Sequence, residues 1–220
     1  MAVDINEGAS APAVAPSAVR TPHRFGYAWL AAVLAFGLIV GLALGYLVPR
    51  LNTPGDDSVE AGFLRDMSTH HAQAVQMSMI AHAASANPAI VTLAADMALT
   101  QHGQIGYMQA WLRDWHLSPT GSEPAMAWIP GSEGAIVNGL MPGMATPTQI
   151  DQLRKANGTA QDIQFLTLMR QHHLGGIHMA QEAEKRSDND KIDWLAESMV
   201  AGQQSEINRI DDLLKQLRAT

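Results

Sequence analysis

The sequence predicts an all-α protein: a four-helix, ferritin-like bundle built from two duplicated helical hairpins and preceded by one transmembrane helix. The first observation is a repeat. The stretch from Phe63 through Met67, His70 and His71 to Met77 recurs 102 positions later (165 minus 63) as Phe165, Met169, His172, His173 and Met179, without a gap. The same offset pairs Met97 with Met199, Gln101 with Gln203 and Ile105 with Ile207, so the repeating unit is two helices long. The second observation is periodic. Apolar residues recur at helical spacing, and no segment has the alternation of a strand. The third is that residues 25–48 carry no charge over a length that crosses a bilayer.

Composition narrows the chemistry. The 220 residues contain no cysteine, which excludes disulfides, thiolate metal sites, cysteine nucleophiles and a lipid-modified N-terminal Cys. The net charge of -7 argues against nucleic acid as a partner. No phosphate-binding loop or nucleophile elbow is present. Twelve methionines are many for this length.

Taken in order, residues 1–24 are rich in Ala, Pro, Ser and Val without period and read as a disordered cytoplasmic tail. Residues 25–48 read as an uncleaved transmembrane signal anchor, because the apolar run exceeds the roughly 7–15 residues of a cleaved signal peptide. Arg20 and Arg24 precede it, which places the tail in the cytoplasm and the remainder outside. Gly37, Gly41 and Gly45 form a smooth stripe that suits a transmembrane helix partner. Residues 49–57 form a linker. Asp57 and Glu60 then resemble a capping box that opens a helix to about residue 86. Pro88 suits the first turn of a second helix that runs to about residue 116.

Residues 117–145 are punctuated by proline and glycine and form an irregular crossover. Thr146-Pro147 starts a short helix that stops at Asn157-Gly158. Thr159 and Asp162 cap the third long helix, ending near Ser187, and the fourth spans about 189–218. Two hairpins joined by one long crossover give the connectivity of ferritin-like bundles, here over residues 58–218.

Phe63, Met67, His70, Ala74, Met77 and Ala81 are spaced four, three, four, three, four, the stripe of a core-facing helix. The second copy reads Phe165, Met169, His172, Gly176, Met179 and Ala183. His70 and His172 therefore belong to the core, with His71 and His173 at its flank. Gln101 and Gln104 match Gln203 and Glu206 and are placed to orient imidazoles or complete a shell. The metal-site residues predicted from this pattern are His70, His71, His172, His173, Met67, Met77, Met169 and Met179, as one site or as two symmetric ones. Methionine as core filler and histidine as a buried polar layer are the competing structural reading. Among metals, thioether with imidazole suits copper, especially Cu(I). Zinc on imidazole leaves the methionines without a role. A di-iron centre requires carboxylates that the equivalent positions lack, Glu206 excepted, which argues against an oxidase.

These residues resemble a bacterial family of exported, ferritin-like helical bundles of largely unknown function. Its pattern is a duplicated Met-x-x-His-His followed by a small residue and Met-Ala, with Met-Pro-Gly-Met between the copies. Met141-Pro142-Gly143-Met144, Met169 with His172-His173, and Met179-Ala180 match it, while the first copy departs at Met77-Ser78. The resemblance covers about residues 58–218. It implies the bundle fold, and some members bind copper. The expected function is a membrane-anchored extracytoplasmic metal-binding protein for copper sequestration or delivery. The alternative is an accessory subunit of a membrane complex with a structural His/Met layer.

Overall fold

The computed structural model describes residues 26–51, 53–132 and 134–219. Its regular elements are six helices: α1 (Tyr27–Leu51), α2 (Val59–Ala84), α3 (Pro88–Asp114), α4 (Pro147–Lys155), α5 (Gly158–Arg186) and α6 (Asp190–Ala219). Among the described residues the extended pairing is confined to an isolated antiparallel bridge between Val137 and Leu140. The described residues divide into two units, one ending at Leu51 and the other beginning at Thr53.

In the first unit, Tyr27–Val48 is 22 residues with a mean hydropathy of 2.4, long and apolar enough to cross a membrane. Its side chains are exposed, and a Cβ added at Gly37, Gly41 or Gly45 would meet nothing within 4 Å. The helix continues to Leu51, three residues past the expected end, so the start of the expected linker is helical. The tail read over residues 1–24 lies outside the described residues, as do Arg20 and Arg24.

In the second unit, α2 packs along α3 and α5 along α6, and the two hairpins meet through α2 and α5, the helices that carry the histidine pairs. Phe63 and Phe165 are fully buried, as the stripe requires. The core is divided. One apolar cluster holds Met67, Met108, Met179 and Met199, and the other holds Met77, Met97, Phe165 and Met169. On both α2 and α5 the histidine pair falls between the two methionines, so the imidazoles separate the two clusters.

Two predicted caps are corrected. Ser58, not Asp57, caps α2: its backbone is extended (φ -71, ψ 159), as a cap requires, and its hydroxyl accepts from the Ala61 amide at 3.2 Å. Glu60 does not reach back to the cap but accepts from the Ser187 hydroxyl at 2.9 Å, tying the start of α2 to the end of α5. α5 begins at Gly158 rather than after a Thr159 cap. Gly158 turns the chain at φ +56, a conformation that costs glycine little, so Thr159 is already helical and Asp162 is buried. Elsewhere the expected signals hold. Pro88 follows the Asn87 cap, and Thr146 with Gln149 forms a complete capping box that spans Pro147.

The crossover is irregular but packed. Met126, Trp128, Ile129, Met141 and Ala145 are all buried. Asp66 of α2 holds it by accepting from the Met126 amide at 2.7 Å and from Trp128 Nε1 at 2.8 Å. Gly62 makes room for the indole, because a Cβ there would strike the Trp128 side chain. Gln73 then clamps Ala145 through both backbone groups, at 2.9 and 2.7 Å.

Candidate metal centre

Neighbouring residues on a helix point about 100° apart, so each histidine pair splays. The ring centroids are 6.5 Å apart for His70 and His71, and 6.4 Å for His172 and His173. Across the two helices the approach is much closer. His70 and His172 lie 3.7 Å apart with their planes 33° from parallel. All four side chains are buried, His71 and His173 at the flank of the stripe included. Helical spacing puts them at the edge of the stripe, but α3 and α6 pack over that edge and close it.

Every Nε2 faces an oxygen. His70 Nε2 donates to the Pro142 carbonyl at 3.0 Å and His172 Nε2 to the His70 carbonyl at 2.9 Å. His71 Nε2 meets Gln104 Oε1 at 2.8 Å, and His173 Nε2 meets Glu206 Oε2 at 2.6 Å. Carbonyl and carboxylate oxygens only accept, so the proton sits on Nε2 and the Nδ1 lone pair is bare. All four Nδ1 atoms are buried without a hydrogen-bond partner. Unpaired buried acceptors are costly and rare. Four of them lie in this one layer.

The electrostatics keep His70, His71 and His172 neutral. Burial lowers His70 from 6.5 to about 4, opposed by its bond to Pro142, and the charge of His173 would lower it further. Burial, reinforced by His70, lowers His71 to about 3. His172 is pushed well below the ordinary value by burial and by the three other imidazoles. Neutral imidazole is the ligand form.

A glycine-dependent contact positions Pro142. Gly143, at φ +79, lies against the backbone of Gln171 and His172, and a Cβ on Gly175 would land on the Pro142 carbonyl. The Met141–Met144 loop therefore rests directly on α5 and presents its carbonyl to α2. The role of Pro142, Gly175 and Gln73 was not read from the sequence. The Gly175-Gly176 pair inside a long helix was the available signal, since each glycine there costs about 1 kcal/mol.

Met67, Met77, Met169 and Met179 are all fully buried. Gln104 and Glu206 orient imidazoles, as their positions suggested. Gln101 and Gln203 do not: both are buried, and Gln101 Oε1 and both side-chain polar atoms of Gln203 lack partners. Among the described residues no three His, Asp or Glu side chains converge to hold one ion. His82 lies apart, with Nδ1 on the Val91 carbonyl at 3.1 Å, and His102, His116 and His178 are exposed. His23 is outside the described residues.

An all-helical protein with a buried imidazole and thioether layer is the class that this fold and site define. The family described as domain of unknown function (DUF305) matches residues 60–214, and the chain belongs to it. No curated protein matches significantly. A DUF305 protein from Streptomyces coelicolor is similar at 39% identity and a TM-score of 0.69, over 74% of this chain and 96% of that one. A DUF305 fragment from Deinococcus radiodurans is similar at 25% identity and a TM-score of 0.60, over 74% and 98%. CopM, solved in its Cu(I)-bound form, shares the fold at 20% identity and a TM-score of 0.54, over 74% and 97%.

Proposed function

We propose that this chain is a membrane-anchored, extracytoplasmic copper-binding protein that sequesters or delivers the ion. The observation that carries the reading is the set of four buried, unpartnered Nδ1 atoms, each on a ring whose Nε2 is held by an oxygen. That is how ligand histidines are oriented: the outer nitrogen donates to an acceptor and the inner one is left for the metal. The donor set fits copper. Imidazole and thioether are available in the layer, and carboxylate is confined to Glu206, which suits a soft ion over a hard one.

His70, His71, His172 and His173 are the imidazole ligands in this reading, with Met67, Met77, Met169 and Met179 as thioether partners. The two hairpins are read as copies packed in a four-helix, ferritin-like arrangement, which makes two smaller sites more natural than one. The copper-bound forms of CopM, a protein of the same fold, support the choice of ion. In this reading the anchor is α1, whose length and composition fit a signal anchor, and the second unit lies outside the cytoplasm.

A titration of the full chain in detergent with Cu(I) and Cu(II) tests this, alongside the double variant His70→Ala, His172→Ala. Tight binding that the double variant loses, with its helical circular dichroism retained, is expected. Unchanged affinity in the variant overturns the reading.

One observation favours a structural alternative. The His70–Pro142 and His172–His70 bonds join α2, α5 and the crossover, as a purely structural layer would. In that case the chain is an accessory subunit held to a membrane partner through Gly37, Gly41 and Gly45. A partner lost on Gly41→Leu would favour it.

A further inference from the structure

His71 and His173 are held in parallel ways, by Gln104 and Glu206, each 33 positions further along the chain. The two anchors differ by one negative charge. We propose that Glu206 makes the His173 end of the layer selective for copper in its divalent state, while Gln104 leaves the His71 end to the monovalent state. This rests on the copper reading above.

The geometry isolates charge as the variable. Both imidazoles are fully buried, and both Nε2 atoms meet a side-chain oxygen, at 2.8 Å for Gln104 and 2.6 Å for Glu206. Each of the two apolar clusters that flank the layer holds a methionine from α2 and one from α5, Met67 with Met179 and Met77 with Met169. The Glu206 side chain is only 19% exposed, and its carboxylate is hydrogen-bonded to His173. Among the described residues no lysine or arginine forms a salt bridge with it.

A carboxylate hydrogen-bonded to Nε2 makes Nδ1 a stronger donor. It also places a negative charge one ring away from the ion, in surroundings that screen it weakly. Coulomb attraction scales with the ion's charge, so a divalent ion gains about twice what a monovalent ion gains. The amide of Gln104 orients its ring equally well but offers no such preference. Glu206 acts through His173 and is a positioning residue with an electrostatic role.

The substitutions Glu206→Gln and Gln104→Glu test this, because each keeps an oxygen for Nε2 and changes only the charge. The full chain in detergent is titrated with Cu(II), and with Cu(I) under reducing conditions, each against a competing chelator. Electron paramagnetic resonance follows the Cu(II) form. Glu206→Gln is expected to weaken Cu(II) binding by about 10–100-fold, the usual effect of losing such a partner, and Cu(I) binding by only about 3–10-fold, half the loss in free energy. Gln104→Glu is expected to tighten Cu(II) binding and add a second resonance signal. Equal weakening of both oxidation states by Glu206→Gln overturns the proposal and leaves Glu206 as an orienting group. Unchanged Cu(II) binding in that variant also overturns it. A wild-type chain that binds neither state overturns the copper reading itself, a failure distinct from a wild type that binds both and ignores the charge change.

Discussion

The His70 and His172 rings stack at 3.7 Å, and His172 Nε2 donates to the backbone carbonyl of His70 at 2.9 Å. One histidine thus supplies both a ring face and a carbonyl to the other, at the point where α2 and α5 meet. Protonating either ring would bury a cation against a second imidazole, with no carboxylate bonded to either one.

Acid should therefore unfold the metal-free protein early. His70 and His71 titrate near 4 and 3 in the folded state, against 6.5 when unfolded. The unfolded chain binds more protons between those values, so stability is complete above about pH 6.5 and falls as the pH drops towards 4. Each such imidazole contributes a slope of about 1.4 kcal/mol per pH unit in that window. Urea unfolding between pH 7 and 5 reads it before most carboxylates titrate. A flat profile there would mean that the rings are hydrated.

Asp66→Ala should loosen the crossover while leaving the helices formed. It removes the acceptor for the Met126 amide and Trp128 Nε1, both in a part-buried setting. Bonds to a charged group contribute about 1.5–3 kcal/mol each, and the stranded donors add to the loss. A fall of about 3 kcal/mol in urea, with faster proteolysis within residues 117–145, is the expected outcome. An unchanged midpoint would mean that apolar packing alone holds the segment.

Much of the site was legible because core-facing spacing is a property of the chain. Met67, His70 and Met77 share a face by helical periodicity alone, and Gln104 and Glu206 could be paired with the histidines by offset. The burial of His71 and His173 was not legible, since coverage at a stripe's edge depends on how closely the neighbouring helix lies. The acceptors Pro142 and His70 were hidden for a different reason. They act through carbonyls, which every residue carries, so no side-chain pattern announces them. The cap at Ser58 shows the limit locally: Asp57 and Ser58 both carry a capping oxygen, and only backbone geometry chooses between them.

Two glycine-to-alanine changes inside helices should have opposite signs. At Gly103 an added Cβ meets nothing within 4 Å, so Gly103→Ala gains about 0.5–1 kcal/mol from helix propensity. At Gly175 the Cβ lands on the Pro142 carbonyl, a backbone atom that cannot swing aside. Gly175→Ala should lower the melting temperature despite the better propensity, and should displace the acceptor of His70. Thermal unfolding of the two variants side by side decides it. A stabilised Gly175→Ala would mean that the loop is free to retreat.

The methionines separate ligand from filler most directly. Met67 and Met179 are fully buried in one cluster, so Met67→Leu with Met179→Leu keeps volume and apolarity at a cost of less than about 1.5 kcal/mol per site. If the thioethers only fill space, copper affinity is unchanged. If they are ligands, the sulfur is lost while the packing remains, and Cu(I) suffers more than Cu(II) because thioether is the softer donor. The expected result is a chain with near wild-type melting temperature and weakened Cu(I) binding, measured by competition with a Cu(I) chelator. Equal affinity in wild type and double variant would remove these two methionines from the site and leave the imidazoles to bind alone.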